Sequence, residues 1–170
     1  VSLACPTEDE ARGSDGTELY RKICKAVHGN NVYYKSCDRL VSAAIAWSGA
    51  DDDIANCFGV LALKNHFESS DRWQKVGSVE FDNNGYPTNC QPGDVLLIKD
   101  ANNSHVVIYT GNEIIKQAYP KSPDTFNIVS ASLDERAAGC GVFNSRSYSG
   151  YTIYRCINPQ NSTTYANAAN

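Results

Sequence analysis

Three side chains of this sequence could share one covalent reaction: a cysteine where a helix should begin, an imidazole at the head of an apolar strand, and an amide further along. Cys37 follows Ser36, a capping residue type, and precedes the stripe Leu40, Val41, Ala44, Ile45 and Ser48, so it stands at a helix start. Backbone N–H groups and the helix dipole at such a position favour the thiolate, the form in which sulfur attacks a carbonyl. A thiol nucleophile needs an imidazole to take its proton and to protonate the leaving amine. Of the histidines His28, His66 and His105, the first two fall in polar helix-end or loop surroundings, whereas His105 opens the run Val106-Val107-Ile108-Tyr109. A histidine beside a core strand is more often structural than catalytic, so both readings of His105 stand.

The third group depends on a turn. With Gly111-Asn112-Glu113 as a three-residue hairpin loop, Val107 faces Gln117, and His105 and Gln117 share a sheet face where the amide could orient the imidazole. With a two-residue loop the register slips, and Gln117 is a solvated strand residue on the opposite face.

Two kinds of element must position these groups. The first half reads helical: Leu19, Tyr20, Ile23, Cys24 and Val27 recur at three- and four-residue steps, with Thr17 to cap them and Gly29 to end them. The second helix runs from Cys37 to Gly49. A third is expected around Ile54, Phe58 and Leu61, interrupted by Gly59, with Asp51-Asp52-Asp53 as its solvated start rather than a calcium loop. The second half reads as strands. Gln91-Pro92-Gly93-Asp94 is a turn before Val95-Leu96-Leu97-Ile98, His105 to Thr110 and Ile114 to Ala118 are the hairpin arms, and Tyr151 to Ile157 is the closing strand. Helices followed by an antiparallel sheet make an α+β fold with its core between the layers. Trp47 and Trp73 are packing residues. A single domain is expected over 1–157, with 158–170 a loose polar tail or linker stub.

Composition narrows the function. A chain of 170 residues is one domain, its 15 Lys and Arg against 19 Asp and Glu give a net charge of −4, and no basic run marks a nucleic-acid surface. No apolar run reaches the length of a membrane span, and 42% apolar content excludes a wholly disordered chain. Seven cysteines, an odd count, point to an oxidising compartment, with three disulfides of open pairing and one thiol kept free for chemistry. Zinc is the competing account, but no C-x-x-C or H-x-x-x-H pair stands at ligand spacing, and no metal or cofactor is called for. The chain begins at Val1 and contains no Met, which reads as a mature fragment whose signal is already removed. Asn102 and Asn161 begin glycosylation patterns that have meaning only in a eukaryotic secretory host.

The order Cys37-Asp38-Arg39-Leu40-Val41, then Gln91-Pro92-Gly93-Asp94-Val95, then His105-Val106-Val107-Ile108-Tyr109-Thr110-Gly111-Asn112 resembles the NlpC-type family of papain-like bacterial cell-wall peptidases. Members carry a helix-start cysteine, a PGD turn and an HVGIYxGN-like hairpin. A polar third catalytic residue follows, and that position falls on Gln117. The match spans about residues 30 to 118, and Tyr151 to Ile157 is similar to the closing strand. Around the nucleophile the chain departs from the family: Asp-Cys-Ser-Gly is replaced by Ser36-Cys37-Asp38-Arg39, and the upstream Tyr-x-Trp-Gly-Gly segment is not recognisable. Tyr33 or Tyr34 would supply the tyrosine near the oxyanion.

The resemblance implies a papain-like fold with Cys37, His105 and Gln117 catalytic and Tyr34, Ser36 and Asp38 at the substrate. It further implies a secreted or cell-surface bacterial enzyme, monomeric, whose substrate is a peptidoglycan stem peptide. Its nearest enzymatic alternative is a CHAP-type amidase, which cuts between sugar and peptide but carries an aromatic residue soon after its cysteine, absent after Cys37. From another class comes a disulfide-stabilised binding module, in which Cys37 is paired or inert.

Overall fold

The computed structural model describes residues 18–29, 37–131 and 139–166; Cys5, Thr17, Tyr33, Tyr34 and Ser36 lie outside them. Helices α1 (Glu18–His28) and α2 (Cys37–Ser48) form where the apolar periodicity predicts. Helix α2 buries Leu40, Val41, Ala43, Ala44, Ile45 and Ala46, because it is covered on two sides. Leu40 and Ala43 meet Ile23 and Cys24 of α1, while Val41, Ala44 and Ile45 pack with residues of the sheet. Gly49, at φ 82°, ends α2 in the left-handed region that glycine enters without strain.

The third expected helix is split. A 3-10 turn (Asp53–Asn56) is followed by helix α3 (Val60–Ser69), which begins after Gly59 at φ 96°. Its buried stripe is Val60, Leu63 and Phe67, and Phe58 and Leu61 are left exposed.

Six strands form one antiparallel sheet: β1 (Trp73–Ser78), β2 (Val95–Lys99), β3 (Ser104–Tyr109), β4 (Ile128–Ser130), β5 (Gly139–Gly141) and β6 (Thr152–Cys156), in the order β1-β6-β2-β3-β4-β5. The architecture is therefore α+β, as expected. Alternation divides the strands between two faces. Val95, Leu97, Val106, Ile108 and Tyr154 pack with α2 and α3, while Leu96, Val107, Ile128 and Ile153 join Phe143 and Tyr151 on the other face. The Gln91-Pro92-Gly93-Asp94 turn holds by its carboxylate: Asp94 is buried, accepts the Gln91 N–H at 2.7 Å, and takes Arg155 Nε and Nη2 at 2.9 and 2.8 Å.

The predicted hairpin does not form. After β3 the chain enters helix α4 (Gly111–Ala118), and the strand next to β3 is β4, with Ile108 opposite Val129. The Thr110 and Gly111 N–H groups both reach the Asn127 carbonyl, and Asn112 Nδ2 reaches the Pro123 and Phe126 carbonyls at 3.1 and 3.0 Å. Ile115 then drops into the core with Leu40 and Phe126, leaving Gln117 exposed on the outer face of α4.

Three further expectations are corrected. Asp51 is not solvated: it is fully buried beyond the end of α2 and accepts His66 Nε2 at 2.6 Å, Trp73 Nε1 at 2.8 Å and the Asp53 N–H at 3.0 Å. Trp73, as expected, is a core residue. No disulfide joins the described residues; Cys37, Cys57, Cys90, Cys140 and Cys156 are thiols, each at least partly buried and packing as a small apolar group, against the three bridges anticipated. Nor is the segment after β6 loose through residue 164. The Gln160 N–H bonds the Ala50 carbonyl at 2.8 Å, the Ser162 N–H bonds Gly49 at 2.9 Å, and Asp52 accepts the Ser162 and Thr164 hydroxyls. Tyr165 packs on the core beside α2.

Candidate active site

Cys37 is the first residue of α2 and leans on β3. The thiol is partly buried against the core that α2 shares with the sheet, where the Val106 N–H favours the thiolate. By strand alternation His105 lies on the face of Val107 and Tyr109, where its ring stacks on Tyr148 at a centroid distance of 6.4 Å and an interplanar angle of 24°. Tyr148 in turn meets Tyr151 edge-on at 5.4 Å. Cys37 packs on the sheet face that meets α2, and His105 stands by alternation on the other face with Tyr148, so the Val106 backbone lies between the cysteine and the histidine picked out by sequence.

Their protonation states follow from burial. Desolvation is the largest influence on the Cys37 thiol and pushes it above its ordinary value of 9.0; the Asp38 charge acts the same way, and the N–H groups of Val106, Asp38 and Cys37 oppose both. The helix start thus pulls in the direction expected, but burial outweighs it and the resting thiol is protonated. Burial also holds the His105 imidazole below its ordinary 6.5. Both groups therefore rest neutral, a thiol and an imidazole with no standing ion pair.

The other candidates are placed differently. Gln117 is exposed on α4 and does not come to His105 by the hairpin register. Asp38 is committed to the scaffold, since its Oδ2 accepts the Gly59 N–H at 2.8 Å and ties the start of α3 to the first turn of α2. Tyr34 and Ser36 lie outside the described residues.

Two more histidine sites have structural roles. Ser42 Oγ donates to the Asp38 carbonyl at 2.9 Å, so it must accept from His28 Nε2 at 2.8 Å. Both residues are buried, His28 at 8% exposure despite its polar sequence surroundings, leaving no room for a substrate. His66 belongs to the Asp51 hub.

Sequence reasoning missed the Val106 N–H and Tyr148. A backbone donor leaves no mark in a sequence, and Tyr148 sits in a turn with no periodic neighbour; Tyr151 was legible only as the head of the closing strand. Among the described residues no cluster of three or more His, Cys, Asp or Glu could hold a metal, and no helix is long and apolar enough to cross a membrane. No protein-family model matches the chain, and neither a curated protein nor a solved structure matches it.

Proposed function

We propose that this protein is a cysteine peptidase of papain-like arrangement that hydrolyses amide bonds in the stem peptides of bacterial peptidoglycan, acting outside the cell or at its surface. The observation that carries the reading is the placement of Cys37 at the N-terminus of α2, where that helix packs on β3, the strand that carries His105. The stem-peptide substrate comes from the motif order around Cys37, the Gln91 to Asp94 turn and His105.

In this mechanism His105 takes the Cys37 proton as sulfur attacks the carbonyl carbon of the substrate. The oxyanion that forms is met by N–H groups at the start of α2, with the Cys37 N–H the first donor. His105 then protonates the departing amine, leaving a thioester. Water, deprotonated by His105, attacks the thioester and releases the acid product and the thiol. Gln117 has no part in this cycle, and Asp38 serves it by anchoring the first turn of α2.

The test is incubation of purified peptidoglycan with the native chain, Cys37→Ala and His105→Ala, followed by mass spectrometry of the released material. Peptides cut within the stem by the native chain alone are expected. Whole stems freed from sugar would instead identify an amidase, and no release from several wall types would leave a binding module.

A further inference from the structure

We propose that Tyr148 is the positioning residue for His105, fixing the imidazole through its ring face in the role for which the Gln117 amide was expected; this rests on the peptidase reading of the same site. An imidazole on a strand is free to swing about a broad terminal torsion unless something holds its plane. Here it is the end member of a column of four nearly parallel rings: His105 on Tyr148 at 6.4 Å and 24°, Tyr148 on Phe143 at 4.4 Å and 23°, and Phe143 on Phe81 at 6.0 Å and 14°. The column is built on a rigid base. Phe143 is fully buried, with its N–H donated to Asn127 Oδ1 at 2.6 Å and its carbonyl accepting Asn127 Nδ2 at 3.0 Å. Tyr151 closes the side of the column, meeting Phe143 at 89° and Tyr148 at 70°.

Support of this kind differs in chemistry from the support a third polar residue gives. An amide or carboxylate orients imidazole by occupying one of its nitrogens, and a carboxylate also stabilises the charged form. A ring face occupies neither nitrogen. Both stay available, one for the thiol proton and the other for a partner or solvent. Among the described residues His105 is faced by Tyr148, with Tyr151 behind it; its neighbour on β2, Ile98, is apolar, and Cys37 packs toward the other face of the sheet.

The experiment compares the native chain with Tyr148→Phe and Tyr148→Leu, following the His105 imidazole protons by NMR as pH is varied and measuring kcat and KM on the released-peptide assay. Tyr148→Phe keeps the ring and is expected to titrate and turn over as the native chain does. In Tyr148→Leu the His105 midpoint should rise toward 6.5 as water reaches the freed face. Its kcat should fall about tenfold while KM stays within about twofold, the size expected for loss of an aromatic stack that acts on the chemical step. A Leu variant with native titration and native kcat would overturn the proposal, and so would a Phe variant as impaired as Leu, which would assign the role to the hydroxyl. The titration needs no turnover, so it still decides the positioning role if the peptidase reading itself fails.

Discussion

Two half-buried imidazoles of the molecule, His66 and His105, are held in opposite ways. Beyond the C-terminal end of α2, His66 has a carboxylate: Asp51 is fully buried and every donor near it is used, with His66 at 2.6 Å, Trp73 at 2.8 Å and the Asp53 N–H at 3.0 Å. His105 has no carboxylate and stacks on Tyr148, and at the N-terminal end of α2 burial keeps the Cys37 thiol protonated. Saturated polar networks rigidify a fold and offer nothing to a substrate. Groups buried without a saturating partner keep their capacity for bond making, which is why the proposed chemistry is assigned to the Cys37 end.

The comparison breaks most cleanly by removing one group from each end. Cys37→Ala should lower hydrolysis by roughly a thousandfold or more, with little change in urea denaturation, because a half-buried side chain is only shortened. Asp51→Ala should do the reverse, costing about 3–5 kcal/mol in denaturant titration by stranding His66 and Trp73, while activity per folded molecule is unchanged. If Asp51→Ala lost activity without losing stability, the division between the ends would be wrong.

Proton titration sharpens the contrast. His105 is depressed, so the native state resists protonation that the unfolded chain accepts below 6.5; the rising limb of kcat/KM against pH should have its midpoint below that value. Alkylation of Cys37 by iodoacetamide should keep accelerating as pH passes 9.0. Asp51 is also depressed, but for a carboxylate the sign runs otherwise. Its stabilisation is present in full above 3.8 and is lost as pH falls through the lower native value, so denaturation midpoints should hold until acid conditions and then drop.

Smaller effects are expected elsewhere. Asp52→Ala removes the acceptor for Ser162 and Thr164 and should cost about 1 kcal/mol, with faster proteolysis after residue 158. Gln117→Ala should change stability by less than about 0.5 kcal/mol and leave hydrolysis intact, since the side chain is exposed. A large loss of activity in Gln117→Ala would restore the sequence-based triad.

The sequence made the helices α1 and α2, the Asp94 turn, β2, β3 and β6 legible because each has several residues repeating one period. Residues 114–118 misled for the opposite reason. Two adjacent isoleucines after a Gly-Asn pair mimic a strand, yet Ile114 to Ala118 never alternates, and its buried position is set by Ile115 reaching Leu40 and Phe126. The short strands β4 and β5 carry too few residues to show a period. Within the site, residue type and order revealed Cys37 and His105. Whether the thiol is charged was not readable, because burial depends on how the sheet and α2 close around it.

The place of β6 in the sheet has a consequence for how the chain comes into being. Among the described strands β6 comes last in the chain, yet it lies between β1 and β2, with Trp73 opposite Cys156 on one side and Val95 opposite Tyr154 on the other. Until residues 152–156 leave the ribosome, β1 has no partner in the sheet and β2 presents an open edge, so a nascent chain must wait with those edges uncovered. Truncation before residue 152 would therefore divide the sheet rather than trim it.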